Sequence, residues 1–77
     1  QPNVILLDVV MPGMSGFQAA RMLSRDQATH DIPIIFVTIR DSEADRIWGM
    51  RQGASAYVTV PVNPQLLLTA ISEAIAA

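Results

Sequence analysis

The chain has 77 residues, 51% of them hydrophobic and 16% charged, with a formal net charge of −2. Globular domains are about one quarter charged, so surface charge is scarce, and a chain this short ordinarily needs a staple or neighbouring protein. It contains no cysteine, and all five of its basic residues are arginine. Disulfides, thiolate metal sites, Schiff-base lysines and a P-loop lysine are thereby excluded.

The arginines (Arg21, Arg25, Arg40, Arg46, Arg51) are scattered, and with an acidic balance they argue against nucleic-acid binding. No apolar run approaches the ~18 residues of a membrane span. The opening QPNVILLDVV has no basic region or cleavage-like site, so it does not read as a signal peptide. A cytoplasmic location is expected. The first residue is not Met, which suits a segment of a longer protein.

In chain order, Val4–Leu7 is apolar on consecutive positions and predicts a strand over 3–8. Ser15 and Gln18 form a capping box at the start of a helix over 16–28. Its core face is Phe17, Ala20 and Leu23. Ile32–Val37 predicts a second strand over 32–38, with Pro33 near its start. Ser42 is the N-cap of a helix over 42–53, with Glu43 and Asp45 in its first turn. Ala44, Ile47, Trp48 and Arg51 have helical spacing there, and Gly53 suits a left-handed C-terminus. Ala56–Val60 predicts a third strand over 55–60, and Asn63-Pro64 opens a last helix over 63–76. Its repeating face is Leu67, Ala70, Ile71 and Ala74.

Runs apolar on consecutive positions suit strands covered on both faces. Helices between them supply the long crossovers that parallel pairing needs, with right-handed connections. The expectation is therefore an α/β fold, β-α-β-α-β-α, with one parallel sheet in one domain or part of one. Ligands of such sheets bind beyond the carboxyl ends of the strands. Asp8, Thr38 and Thr59-Val60-Pro61 stand there. A carboxylate in that place could be a nucleophile, a base or a metal ligand, or could simply cap its loop.

The segment from Asp8 to Gly16 reads D-V-V-M-P-G-M-S-G, enters from an apolar strand and leaves into a helix. It resembles the phosphoacceptor segment of bacterial response-regulator receiver (CheY-like) domains. The remaining pieces follow in order: a strand ending in Thr38, a helix ending in Gly53-Ala54, a strand carrying Tyr57, then Pro61 and a final helix. The resemblance covers essentially residues 1–77, but only the C-terminal three-fifths or so of a receiver. It implies a partial flavodoxin-like sheet, a truncated receiver holding strands three to five of five. The Trp48–Ala54 stretch, W-G-M-R-Q-G-A, further resembles receivers of type IV pilus (twitching-motility) systems.

This resemblance implies that Asp8 accepts a phosphoryl group from a histidine kinase or phosphotransfer protein. It implies Thr38 as the switch hydroxyl, Tyr57 as the switch aromatic, and Mg²⁺ held by Asp8 and the Val10 carbonyl. The result would be a switch that binds a downstream protein target, not a conventional enzyme. Read alone, Thr38 also suits simple strand propensity, and Tyr57 a half-buried strand aromatic.

Two departures stand out. The family's acidic metal-binding pair precedes this chain, so Asp8 and one carbonyl are too few for an octahedral site. Val60 stands where the family has a lysine, which also motivates a degenerate receiver that acts as a phosphorylation-independent interaction module. Arg40, near the same rim, suits either a partial substitute or a solvated side chain. A haloacid-dehalogenase-like phosphatase is disfavoured, since Val10 stands where that class has its second acid.

Among the remaining residues, Ile47 and Trp48 suit either a core face or a docking face. Met11 and Met14 are expected to cover the core edge, and His30 to face solvent. The resemblance also implies a cis peptide bond at Pro61. Without the family's first two strands, Asn3–Asp8 would be an exposed apolar edge, so a homodimer or swapped assembly through it is expected.

Overall fold

The computed structural model describes residues 2–76. Three strands, β1 (Ile5–Leu7), β2 (Ile34–Thr38) and β3 (Ala56–Thr59), alternate with helices α1 (Gly16–Arg25), α2 (Glu43–Arg51) and α3 (Pro64–Ala76). The sheet order is β1-β2-β3 and both pairings are parallel. Ile5 pairs with Ile34 and Leu7 with Phe36, while Phe36 pairs with Tyr57 and Thr38 with Thr59.

The core gathers on one side of the central strand. Ile34 and Phe36, two residues apart, share a face and cluster with Val9, Ala20, Ala54 and Tyr57. Ile5, Leu7, Phe17 and Leu23 pack against that cluster. The Phe36 ring meets Phe17 edge-on at 5.5 Å and Tyr57 at 5.7 Å. Ile35, on the opposite face by alternation, is completely covered.

The strands are shorter than their apolar runs. β1 begins at Ile5 rather than at residue 3, where Ile5 N–H donates to the Pro33 carbonyl at 2.9 Å. It ends before Asp8, whose carboxylate turns back to accept the Val10 N–H. β2 begins at Ile34 rather than at residue 32, because the Ile32 N–H is spent on the Thr29 carbonyl and Pro33 has none to give. β3 spans Ala56–Thr59 rather than 55–60, although Ser55 and Val60 still donate to Ile34 and Thr38.

The helix starts follow the capping chemistry. Ser15 and Gln18 exchange two hydrogen bonds, each 3.2 Å. Ser42 accepts from Asp45 N–H, and Asn63 accepts from Gln65 and Leu66 N–H. α1 stops at Arg25 rather than at residue 28. Asp26 is extended there; its carboxylate accepts the Ala28 N–H and its carbonyl the Thr29 and His30 N–H groups. Such local side-chain acceptors compete with helix continuation. α2 and α3 run Glu43–Arg51 and Pro64–Ala76, shorter than 42–53 and 63–76 because their caps lie outside the helical turns.

α2 departs most from its sequence pattern. Ala44, Ile47, Trp48 and Arg51 are all exposed. The side toward the protein instead carries Asp45, Gly49 and Gln52, also at helical spacing. Gln52 is buried and takes the Arg21 Nε–H on its Oε1 at 3.0 Å, while its Nε2 donates to the Trp48 carbonyl at 3.1 Å. Ser24 Oγ donates to the Gln52 carbonyl at 3.2 Å. Polar bonds therefore tie the end of α2 to α1. Gly53 follows with φ +96°, the left-handed ending its position suggested.

Gly16 marks the tightest backbone approach. Its N–H donates to the Val9 carbonyl at 2.8 Å, and a Cβ there would run into the Asp8 carbonyl. Gly16→Ala is expected to destabilise the protein by about 1–3 kcal/mol, the range for an overpacked site. Urea unfolding of the variant checks this.

Candidate functional site

Parallel register brings the carboxyl ends of the strands to one rim. Asp8 follows β1, Thr38 ends β2, and Val60 follows β3. The Val60 N–H donates to the Thr38 carbonyl at 2.9 Å, which extends the ladder to the rim.

Asp8 is exposed. Its Oδ1 accepts the Val10 N–H at 2.9 Å. That amide, followed by the Thr38 hydroxyl, holds the carboxyl below its ordinary 3.8. Both donors favour the charged form. Thr38 is buried, and its Oγ1 accepts the Arg40 N–H at 3.2 Å. Val10 is 57% exposed beside it.

Tyr57 lies deeper, 9% exposed in the middle of β3. Its hydroxyl donates to the Arg40 carbonyl at 2.8 Å, and burial pushes its phenol upward. Arg40 thus touches both switch candidates through its backbone. Its side chain grips Asp45 twice, Nε to Oδ2 at 3.2 Å and Nη2 to Oδ1 at 3.1 Å. The Arg40 side chain is thus half-exposed and paired with Asp45. Val60 presents an apolar, partly buried side chain, and its bond to Pro61 is cis, as the family pattern implied.

Val9, Val10, Met11, Met14, Phe17 and Arg40 border an open groove of about 570 Å³ next to Asp8. Met11 is partly covered, but Met14 is 38% exposed and covers the core edge less than expected. His30 faces solvent beside Asp31, 3.0 Å away.

Among the described residues, no three His, Cys, Asp or Glu side chains cluster as metal ligands. Asp8 and the Val10 carbonyl supply at most part of a magnesium shell, and these residues alone do not fit an octahedral site. Among the same residues, no helix is long and apolar enough to cross a membrane.

Asp8, Val10, Thr38 and Val60 are thus gathered at one rim, with Tyr57 one layer below and joined through Arg40. The family model described as "Response regulator receiver domain" matches residues 1–72. The chain belongs to this family. It is 50% identical over 76 residues to Protein PilH of Pseudomonas aeruginosa, covering 99% of this chain and 63% of that protein. The receiver therefore spans less than two thirds of that relative's length.

Solved structures agree with the receiver fold. The BeF3-activated receiver domain of DrrB, a Thermotoga maritima protein, superposes with TM-score 0.88 at 28% identity, over 100% of this chain and 64% of that one. The Mn(2+)-bound form of response regulator Rcp1 gives TM-score 0.73 at 25% identity, over 95% of this receiver and 52% of that chain.

Sequence reasoning did not connect Asp45 or Gly49 with the site. Asp45 was visible only as an acidic first-turn residue. Gly49 carries no chemical signal, since its role is the space it leaves beside Tyr57.

Asp45 carries a testable pH dependence. Ser42, then Arg40, holds its carboxyl below 3.8. The folded state therefore retains this charge more strongly than the unfolded state. The resulting stabilisation is present above 3.8 and is lost as pH falls through the lower folded value. Asp45→Asn is expected to lessen the acid-side fall of the denaturation midpoint. Parallel acid limbs for variant and parent would refute the assignment.

Proposed function

We propose that this receiver is an aspartyl-phosphate switch in which Asp8 is the acceptor. One observation carries the reading: an exposed carboxylate whose Oδ1 accepts the Val10 N–H stands at the same strand rim as the buried Thr38. Asp8 is exposed to a donor, and the Val10 amide further favours its charged form. A carboxylate oxygen attacks phosphorus, the bond to the donor's leaving atom breaks, and that atom keeps the electron pair. The product is an acyl phosphate on Asp8. Its new oxygens are acceptors that the Thr38 hydroxyl can serve. The Thr38 oxygen is bonded to Arg40 N–H and the Tyr57 hydroxyl to Arg40 C=O, so a shift at Thr38 reaches Tyr57 through one residue.

The donor in this reading is a histidine kinase or phosphotransfer protein, and the readout is binding to a protein target in the cytoplasm. The kinship with PilH supports a twitching-motility type of system. Asp8 and the Val10 carbonyl would hold part of the shell of a Mg²⁺ ion. When bound, it neutralises charge on the transferring group.

Val60 favours a second reading, a receiver that binds its partner without phosphorylation. A lysine there would donate to the phosphoryl oxygens, and hydrogen bonds to charged groups contribute about 1.5–3 kcal/mol. An experiment separates the two. The full-length protein, given Mg²⁺ and a small phosphodonor, is expected to gain one phosphoryl mass that Asp8→Ala abolishes. No gain in the parent protein would leave the interaction module standing. The 77-residue chain alone is expected to stay unlabelled.

The β1 edge suggests a further property of those residues in isolation. Leu6 is 49% exposed on a strand with one partner. An open apolar edge is a template for pairing, so the isolated chain is proposed to dimerise or swap through Asn3–Asp8. Light scattering across a wide concentration range is expected to give a mass above the monomer. A monomer throughout would refute the pairing.

A further inference from the structure

Tyr57 sits in a slot that α2 shapes from two directions. Under the ring, Gly49 leaves the room: a Cβ there would stand 2.8 Å from Tyr57 Cδ2 and 3.2 Å from Phe36 Cδ2. Over the ring lies Arg46, three residues earlier and so on a neighbouring part of the same helix face. Its Cζ is 5.5 Å from the ring centroid, within reach of a cation–π attraction. The same guanidinium donates through Nη1 to the Tyr57 carbonyl at 3.3 Å and through Nη2 to Thr59 Oγ1 at 3.4 Å. At the far end, the Tyr57 hydroxyl donates to the Arg40 carbonyl. Arg40 in turn is bound to Asp45 of α2.

We infer that Arg46 is a positioning residue that holds Tyr57 in its buried setting, so that the seat of α2 and the rotamer of Tyr57 change together. Arg46 touches no reacting group. It acts through the tyrosine ring and the β3 backbone. An arginine that merely covered the ring with its methylene stem would do so without its charge, and this difference is measurable. The link from Tyr57 to Asp8 rests on the phosphoacceptor reading, whereas the clamp itself does not.

Tyr57 is the single tyrosine of these 77 residues. The full-length protein is labelled with 3-fluorotyrosine, and the Tyr57 signal is assigned by its loss in Tyr57→Phe. Fluorine NMR without phosphodonor then reads the balance of buried and exposed ring. Arg46→Met keeps a stem but removes the charge. It is expected to lower the buried-to-exposed ratio roughly two- to five-fold, the worth of an exposed cation–π contact. Circular dichroism is expected to be unchanged. Arg46→Lys is expected to restore part of the ratio. Arg46→Gln, a milder neutral change, is expected to move it in the same direction as Met and decides the matter if Met impairs folding. An unchanged ratio in a folded neutral variant overturns the inference.

A second arm adds the phosphodonor. Arg46→Met is expected to take label at Asp8 as the parent does, but with a smaller change in the Tyr57 signal. A parent that takes no label refutes the acceptor reading and leaves the comparison of ring positions intact. An equal signal change in a labelled parent and variant refutes the coupling alone.

Discussion

Parallel pairing sends every crossover back along the sheet, so successive strands deliver their carboxyl ends to the same rim. Asp8, Thr38 and Val60 lie far apart in sequence yet share one rim because Leu7 pairs with Phe36 and Thr38 with Thr59. A slip of one residue would turn alternate side chains to the opposite face. Phe36 would leave its contacts with Phe17 and Tyr57. The same register that closes the core therefore sets the spacing of the site. The Val9 carbonyl, bound by Gly16 N–H, fixes the loop that follows.

Below the rim, the arrangement turns on Arg40. Its N–H serves Thr38, its carbonyl receives Tyr57, and its side chain engages Asp45. One residue thus meets a strand end, a buried aromatic and the first turn of a helix. The Asp45 end is itself anchored by Ser42, which donates to its carboxylate at 2.7 Å. Sequence position alone suggested a solvated arginine or a stand-in for a missing lysine; its half-exposed side chain is paired with Asp45.

Much of this was legible before any coordinates. The order of elements, the capping residues of all three helices and the inward faces of α1 and α3 all follow from local patterns. Those patterns reflect one dominant force each: apolar burial for the faces, unpaired helix-end amides for the caps. The face of α2 was not legible, because its inward positions are Asp45, Gly49 and Gln52. There, space and hydrogen bonds outweigh hydropathy, and a period read from Ala44, Ile47 and Trp48 points outward. The end of α1 was missed for a related reason. Asp26 offers a competing acceptor that helical periodicity does not register. The contacts between Arg40 and Asp45, and between Arg46 and Tyr57, depend on how elements meet, which no local pattern encodes.

The polar underside of α2 gives that helix an unusual mechanical character. Apolar surfaces attract without direction, so a greasy helix slides over a core with little change in energy. α2 is fastened by Gln52 at one end and by Asp45 at the other, with a glycine in the buried middle. Hydrogen bonds weaken steeply when bent. Rotation of α2 would therefore have to break directional bonds at both ends rather than slide over an apolar surface.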